Sequence, residues 1–330
     1  MRSTFIFGAG ASAEEGAATG SQVLEKAFNI LRGRKPTNEV KDFVRSFFGL
    51  EYLPTFEEVL TLVDIGISKR EAFSHRWDFD NLIKLRNHLI YCLVMTLDQQ
   101  LQSSGPLHSL FVKKLFEKYD KRDLSFISLN YDILLDNALT KLYDLTHFQL
   151  DYAIDFRNFG IDWDRPDTNA VNLLKLHGSL NWLYCPNCNS LEITPLDKGV
   201  RKIWTEFKTC DEDQTGQQPL LIPPTWIKAY DNARLMQVWV RAEEILRKAE
   251  KVIFVGYSLP ESDAHVRYLL AKSLHRKSSR KPQVIAITQD RTGNAPSASH
   301  RRYLRLFKHP QVHEIGFRRF MNNLDKYIGR

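Results

Sequence analysis

Asn130 and Asp132 flank Tyr131 directly after the strand-like run Leu124–Ser128. A carboxamide offers both a donor and an acceptor, and a nearby carboxylate can fix its orientation or hold a water. The plainer use of the same residues is a helix cap ahead of Ile133-Leu134-Leu135. His177 follows the run Val171–Leu176 and precedes Gly178; there an imidazole titrating near neutral pH can act as a base. His108, His265 and His300 have no such neighbours and read as structural. Gly8-Ala9-Gly10-Ala11-Ser12 follows a short apolar run at residues 3–7. Such a turn lets backbone approach a pyrophosphate and places amides at a helix N-terminus. It lacks the third glycine of a dinucleotide fingerprint, and a tight turn explains it equally well.

The cysteines form a further cluster. Four in a chain of 330 residues do not make a disulfide framework. Cys185-Pro186-Asn187-Cys188 is one half of a zinc ribbon, and Cys210 stands near the right distance for the other half. Asp213 occupies the place of the fourth cysteine. Zinc accepts a carboxylate oxygen, but the broken pattern makes a lobe without metal the expectation.

These residues need elements to carry them. Residues 3–7 predict a buried strand, and Val23, Leu24, Ala27, Phe28 and Leu31 predict a helix after the glycine turn. From 37 to 104 the apolar spacing is helical throughout, through Phe56, Val59, Leu60 and Val63 and then Leu82, Leu85, Leu89, Leu93 and Leu97, so the stretch reads as a helical insertion. Strands follow at 124–128 and 171–176, and a helix runs from the Asn130 turn through Leu142. Residues 185–218 are polar and irregular, a small excursion. A helix over 231–249 leads into the strand Lys251–Val255, which ends at Gly256-Tyr257-Ser258. A helix through Val266, Leu269 and Leu270 then precedes the strand Gln283–Ile287, which ends at Thr288-Gln289. Continuous apolar strands alternating with helices predict an α/β, Rossmann-like parallel sheet covered on both faces. Ligands of such sheets bind beyond the carboxyl ends of the strands, where the polar signatures fall.

Composition narrows the class. Hydrophobic residues make up 43% and charged residues 26% of the chain, the balance of a globular protein rather than a disordered or collagen-like one. The longest apolar run, Leu89–Met95, is far short of the ~20 residues of a spanning helix, and the N-terminus reads as a strand rather than an export signal. The expected location is the cytoplasm. The net charge of +7 is compatible with a polyanionic partner without requiring one. Its densest runs, Arg276–Lys281 and His300–Arg305, lack the aromatic spacing of a nucleic-acid module.

Taken in order, the motifs resemble the sirtuin-like NAD-consuming superfamily, in particular the sirtuin-like NADases of bacterial antiphage defence. Gly8-Ala9-Gly10-Ala11-Ser12 resembles the family's nucleotide loop, and Ser128-Leu129-Asn130-Tyr131-Asp132 its asparagine motif. Lys175-Leu176-His177-Gly178-Ser179 resembles its histidine motif, and Val255 to Asp263 a later loop lining the dinucleotide. The Cys185–Asp213 excursion sits where relatives carry a zinc ribbon. The resemblance covers nearly the whole chain, as a single domain over 1–330 with the insertion and the lobe inside it. It implies that Asn130 and His177 carry the reaction and that Asp132 supports the asparagine. It further implies that NAD is substrate, held by Gly8, Ala9, Gly10, Ser12, Gly256 and Ser258, with Thr288 and Gln289 at the adenosine ribose. The expected reaction is hydrolysis to nicotinamide and ADP-ribose, depleting cellular NAD once a partner or trigger permits it. The alternatives are an NAD or ADP-ribose sensor that does not hydrolyse, and an NAD-dependent protein deacylase. The Leu221-Ile222-Pro223-Pro224-Thr225 segment resembles the defence enzymes, and no peptide-clamping strand of a deacylase is recognisable. By the same resemblance the chain is expected to form homo-oligomers and to work with a separate subunit such as a HerA-type ATPase, through the helical insertion or the basic C-terminal third.

Overall fold

A computed structural model describes residues 2–102, 105–143, 149–158, 170–194, 199–225, 232–275, 281–289 and 296–329. Six strands form one parallel sheet: β1 (Ser3–Phe7), β2 (Leu124–Ser128), β3 (Asn172–Lys175), β7 (Lys251–Val255), β8 (Gln283–Thr288) and β9 (Gln311–Glu314). Their order across the sheet is β3-β2-β1-β7-β8-β9. The chain therefore builds outward from β1 to β3, returns to the centre at β7, and builds outward the other way. In open α/β sheets the point of reversal, here between β1 and β7, opens the crevice that takes ligands.

The central strand is buried along its whole length, which is why Thr4-Phe5-Ile6-Phe7 shows no polar alternation. Successive side chains of a strand point to opposite faces. Phe5 and Phe7 share one face and meet Phe111 of α6 (Leu107–Phe116), while Phe7 also meets Phe317 of α12 (Gly316–Asn322). Phe254, paired with Ile6 across the sheet, packs on Tyr303 and Phe307 on the other face. Tyr303 belongs to α11 (Ala298–Leu306), and Phe307 follows it.

Four helices fill the segment between the first turn and α6. These are α2 (Val23–Ile30), α3 (Lys35–Phe47), α4 (Phe56–Lys69) and α5 (Phe79–Gln100), which share a second apolar cluster. Thr55 and Glu58 start α4 with a reciprocal capping box, and the Asp78 carboxylate caps α5. No helix among the described residues is long and apolar enough to cross a membrane.

The parallel sheet with helices agrees with the expected fold class, and strands 3–7, 124–128, 171–176, 251–255 and 283–287 lie within a residue of their predicted ends. One expectation needs correction. Residues 185–218 are not irregular throughout: β5 (Leu191–Ile193) and the start of β6 (Gln218–Leu221) lie within them and join β4 (Gly178–Tyr184) in a second, antiparallel sheet in the order β5-β4-β6. Strands of three or four residues between polar turns give too few alternations to register as a period. The edge strand β9 is likewise short and half exposed. The helix expected over 231–249 is α9 (Ala233–Lys248). Most of the basic run from Arg276 lies outside the described residues.

Candidate active site

The ladder brings the predicted residues to one edge. Phe7 pairs with both Ser128 and Val255, Ser128 with Lys175, and Val255 with Ile287. The strands thus end level, and Gly8, Asn130, His177, Gly256 and Thr288 all fall at or just beyond their carboxyl ends.

Asn130 is buried, and its Nδ2 donates to the Gly8 carbonyl at 3.0 Å and to Ser12 Oγ at 2.9 Å. A carbonyl can only accept, so this contact identifies the amide nitrogen and leaves Oδ1 as the atom that accepts from anything bound. The same reasoning assigns the tautomer of His177. Its Nδ1 lies 3.1 Å from the Leu129 carbonyl, so Nδ1 carries the proton and Nε2 holds the lone pair of the neutral ring. Asn130 and His177 therefore present two acceptor atoms from adjacent strand ends.

Asp132 does something different from the expected support of the asparagine. Its carboxylate accepts from the Leu134 amide at 3.1 Å, capping α7 (Leu134–Tyr143), and makes no hydrogen bond to the Asn130 side chain. Any support it lends the asparagine runs through the turn. Tyr131 is half-buried; its hydroxyl donates to the Ile222 carbonyl at 2.8 Å, and its ring stands 6.4 Å from that of His177. Ile222 also donates its amide to the His177 carbonyl at 3.0 Å, so the Leu221–Thr225 segment is the outer wall of the histidine turn. Gly178 has φ +80, and a Cβ there would lie 1.9 Å from the Leu220 carbonyl; only glycine lets this wall close.

The glycine loops interlock. Gly10 donates to the Gly256 carbonyl at 2.8 Å and Gly8 to that of Val255 at 3.0 Å. A Cβ on Gly8, Gly10 or Gly256 would come within 2.6, 2.7 and 2.1 Å of backbone in the opposite loop. One role of these glycines is thus to let β1 and β7 meet. Gly10 and Ala11 already use their amides, Ala11 toward the Gly8 carbonyl, while Ala9 opens the helix α1 (Ala9–Ala13) and is exposed. Ser258 and Gln289 are exposed, and Thr288 is buried with no hydrogen-bond partner for its Oγ1 among the described residues. A hydroxyl in that state is one that a ligand or water would satisfy.

Sequence reasoning missed two residues here. Arg302 Nε donates to the Ser258 carbonyl at 2.9 Å and Tyr303 hydroxyl to that of Tyr257 at 2.8 Å, so α11 clamps the second glycine loop. The signal was present: Ser297 caps the helix by accepting from the His300 amide. Read only as a basic run, His300–Arg305 concealed it.

The cysteine lobe was expected to be without metal, yet its geometry suits one. Cys185, Cys188, Cys210 and Asp213 hold one ligand atom each within 4.8 Å of one another. Cys188 and Cys210 sulfurs are 3.7 Å apart, and two thiolates about 2.3 Å from a tetrahedral zinc would stand about 3.8 Å apart. Hydrogen bonds from the Thr215 amide and Asn187 hold Asp213 well below the usual carboxylate range, so it stands ready as an anion. Ser190 lowers the Cys188 thiol, whereas burial raises that of Cys185 to about 11. These donors fit zinc. Purified full-length protein is expected to carry close to one zinc per chain by elemental analysis, and Asp213→Ala to retain it at least about tenfold less tightly. Three thiols freely titrating in untreated protein would count against the site. A cavity of about 520 Å³ beside this lobe is lined by Asp155, Arg157, Cys188 and Arg234 and reaches none of the Asn130–His177 group.

Fold and site together define a doubly wound α/β protein whose polar residues gather at the carboxyl ends of its parallel strands. The SIR2-like domain model matches residues 124–312, more than half the chain, and the chain belongs to the SIR2-like domain family. Among solved structures, it is similar to a Sir2 protein with a p53 peptide and NAD+, at 14% identity and a TM-score of 0.50, over 98% of this chain and 92% of that one. A Sir2 protein bound to an acetylated peptide is similar at 13% identity and a TM-score of 0.50, over 98% and 92% of the two chains. At such identity the likeness concerns the fold. No curated protein matches the sequence.

Proposed function

We propose that this protein is an NAD glycohydrolase that cleaves the bond between nicotinamide and ribose to give nicotinamide and ADP-ribose. The observation that carries the reading is the pair of fixed acceptors, Asn130 Oδ1 and His177 Nε2, beyond the carboxyl ends of the adjacent strands β2 and β3. The similar Sir2 protein described with NAD+ supports a dinucleotide in the corresponding crevice.

Cleavage passes through an oxocarbenium-like ribose, as in other glycoside hydrolyses. The C–N electron pair leaves with the pyridinium, which departs as neutral nicotinamide. Water adds at the anomeric carbon and loses a proton. Asn130 Oδ1 accepts from that water or from a ribose hydroxyl and fixes its direction, and His177 Nε2 accepts the proton that the water loses as it adds to the sugar and then releases it to solvent. Both side chains are locked by their own backbone bonds, so they need no reorganisation during reaction. Gly8–Ser12, Gly256–Ser258 and Thr288 line the rest of the crevice for the pyrophosphate and adenosine.

The proposal includes conditional activity in antiphage defence, since an unrestrained NAD hydrolase would harm its own cell. Oligomerisation or a partner ATPase would supply the condition. Exposed Phe47, Leu50, Tyr52 and Leu53 between α3 and α4 support a docking role for the helical segment, because grouped exposed apolar residues mark interaction surfaces. The test is a time course of NAD loss with identification of products by full-length protein, alone and with co-purified partners. Stoichiometric nicotinamide and ADP-ribose is the expected result. Tight NAD binding with no turnover under any condition would replace the enzyme with a sensor, and consumption dependent on an acylated peptide would replace it with a deacylase.

A further inference from the structure

Lys175 and Asp136 form an ion pair with Nζ and Oδ2 3.0 Å apart and side-chain exposures of 0% and 1%. Removing two charges from water carries a large desolvation penalty, and an apolar pair of similar volume is often at least as stable. Packing alone therefore does not account for them. Tyr152, also buried, donates its hydroxyl to the other carboxylate oxygen at 2.7 Å, so both oxygens of Asp136 are engaged. The second acceptor of the Lys175 ammonium is the backbone carbonyl of Asp132.

The location of this cluster gives it a task. Lys175 ends β3 two residues before His177, and it pairs in register with Ser128, two residues before Asn130. Through one ammonium, the strand end that delivers His177 is tied to the turn that delivers Asn130. Asp136, in the first turn of α7, anchors that ammonium from the helix side. The His177 Nδ1 bond to Leu129 spans the same two segments.

We propose that Lys175 and Asp136 are positioning residues that set the placement of Asn130 Oδ1 against His177 Nε2, a role that rests on the hydrolase reading above. Neither touches substrate. They act through the Leu129–Asp132 turn, and their loss displaces it.

The test uses full-length protein carrying Lys175→Met with Asp136→Leu, which removes both charges and strands neither. Protein of wild-type cooperativity in thermal melting is expected, with kcat for NAD loss reduced at least about tenfold while KM stays within a factor of about three, because small misplacements of reacting groups carry large rate penalties. Nitrogen NMR of labelled histidine reads the site without turnover, and the His177 Nδ1–H signal is expected to shift. A folded double variant with wild-type kcat and an unmoved His177 signal overturns the proposal. If the double variant does not fold, Asp136→Asn, which keeps the shape, takes its place: a reduced kcat with a shifted His177 signal supports the positioning role, and wild-type values of both overturn it. If wild-type protein consumes no NAD, alone or with co-purified partners, the hydrolase reading fails by itself, and the His177 signal alone decides the positioning role.

Discussion

Replacing His177 by alanine is expected to lower kcat for NAD cleavage by about 10²–10⁴-fold, the range of positioned general-base catalysis, while leaving ADP-ribose binding within a few-fold of wild type. Two features of the site set this expectation. The Leu129 carbonyl fixes the protonated nitrogen, so the histidine meets bound ligand with its basic atom and not with a donor. Its backbone, held by Ile222, does not depend on the imidazole, so the turn survives truncation. Asn130→Ala differs in kind, because it also strips the Gly8 carbonyl and Ser12 Oγ of their shared donor and loosens the first glycine loop. It should weaken nucleotide binding as well as turnover. Titration calorimetry with ADP-ribose, set beside initial rates of nicotinamide release, separates the two. A His177→Ala protein that retains wild-type rates would remove the histidine from the mechanism.

Gly256→Ala is expected to be strongly destabilising although it touches no reactive atom. Gly256 has φ +66, and an added Cβ would stand 2.1 Å from the Ala11 nitrogen. An alanine strains the left-handed backbone and collides with an atom that is itself held in α1, so the two loops must part. Strained non-glycine backbone alone costs of order 1–3 kcal/mol, and separating the loops adds lost hydrogen bonds, for a total of about 3 kcal/mol or more. For a domain of this size that corresponds to a fall in Tm of roughly 4 °C or more. Gly20→Ala is the control: nothing lies within 4 Å of its added Cβ, and a change within ~0.5 kcal/mol is expected there. Differential scanning calorimetry of both proteins is sufficient. Equal melting temperatures would mean that the loops separate at no penalty.

The strands that hold the site were legible because each is buried on both faces. Phe5-Ile6-Phe7, Phe126-Ile127 and Val252-Ile253-Phe254 are apolar without interruption, and the residues after them could be located by counting. Orientation was not legible. Nothing in the order Asn130-Tyr131-Asp132 says that the asparagine turns its nitrogen toward Gly8 while the aspartate turns away to cap α7; that depends on contacts 122 residues apart. The glycines were visible, but their use in joining the two loops was not, for a related reason. A missing Cβ next to a strand end fits a phosphate and a second backbone equally well, and only the register of β1 with β7 reveals the second backbone. In the cysteine lobe, Asp213 looked like a broken motif because spacing registers the type of a ligand, whereas a metal registers where its oxygen stands. Lys175 drew attention only as a neighbour of the histidine, since a sequence does not report burial of a charge.

The meeting of the two glycine loops also orders events in time. β1 is made well before its neighbours, β2, beginning at Leu124, and β7, ending at Val255. The Gly8 and Gly10 amides find their partners at Val255 and Gly256, so the first loop reaches its final form only once Gly256 has been synthesised. Non-local pairing of this kind is slow to nucleate. A nascent chain still on the ribosome, or a fragment cut before residue 251, thus holds Asn130 and His177 without the crevice that would bring substrate to them. For a protein whose proposed substrate is needed by every ribosome-bearing cell, that order of assembly keeps unfinished copies harmless.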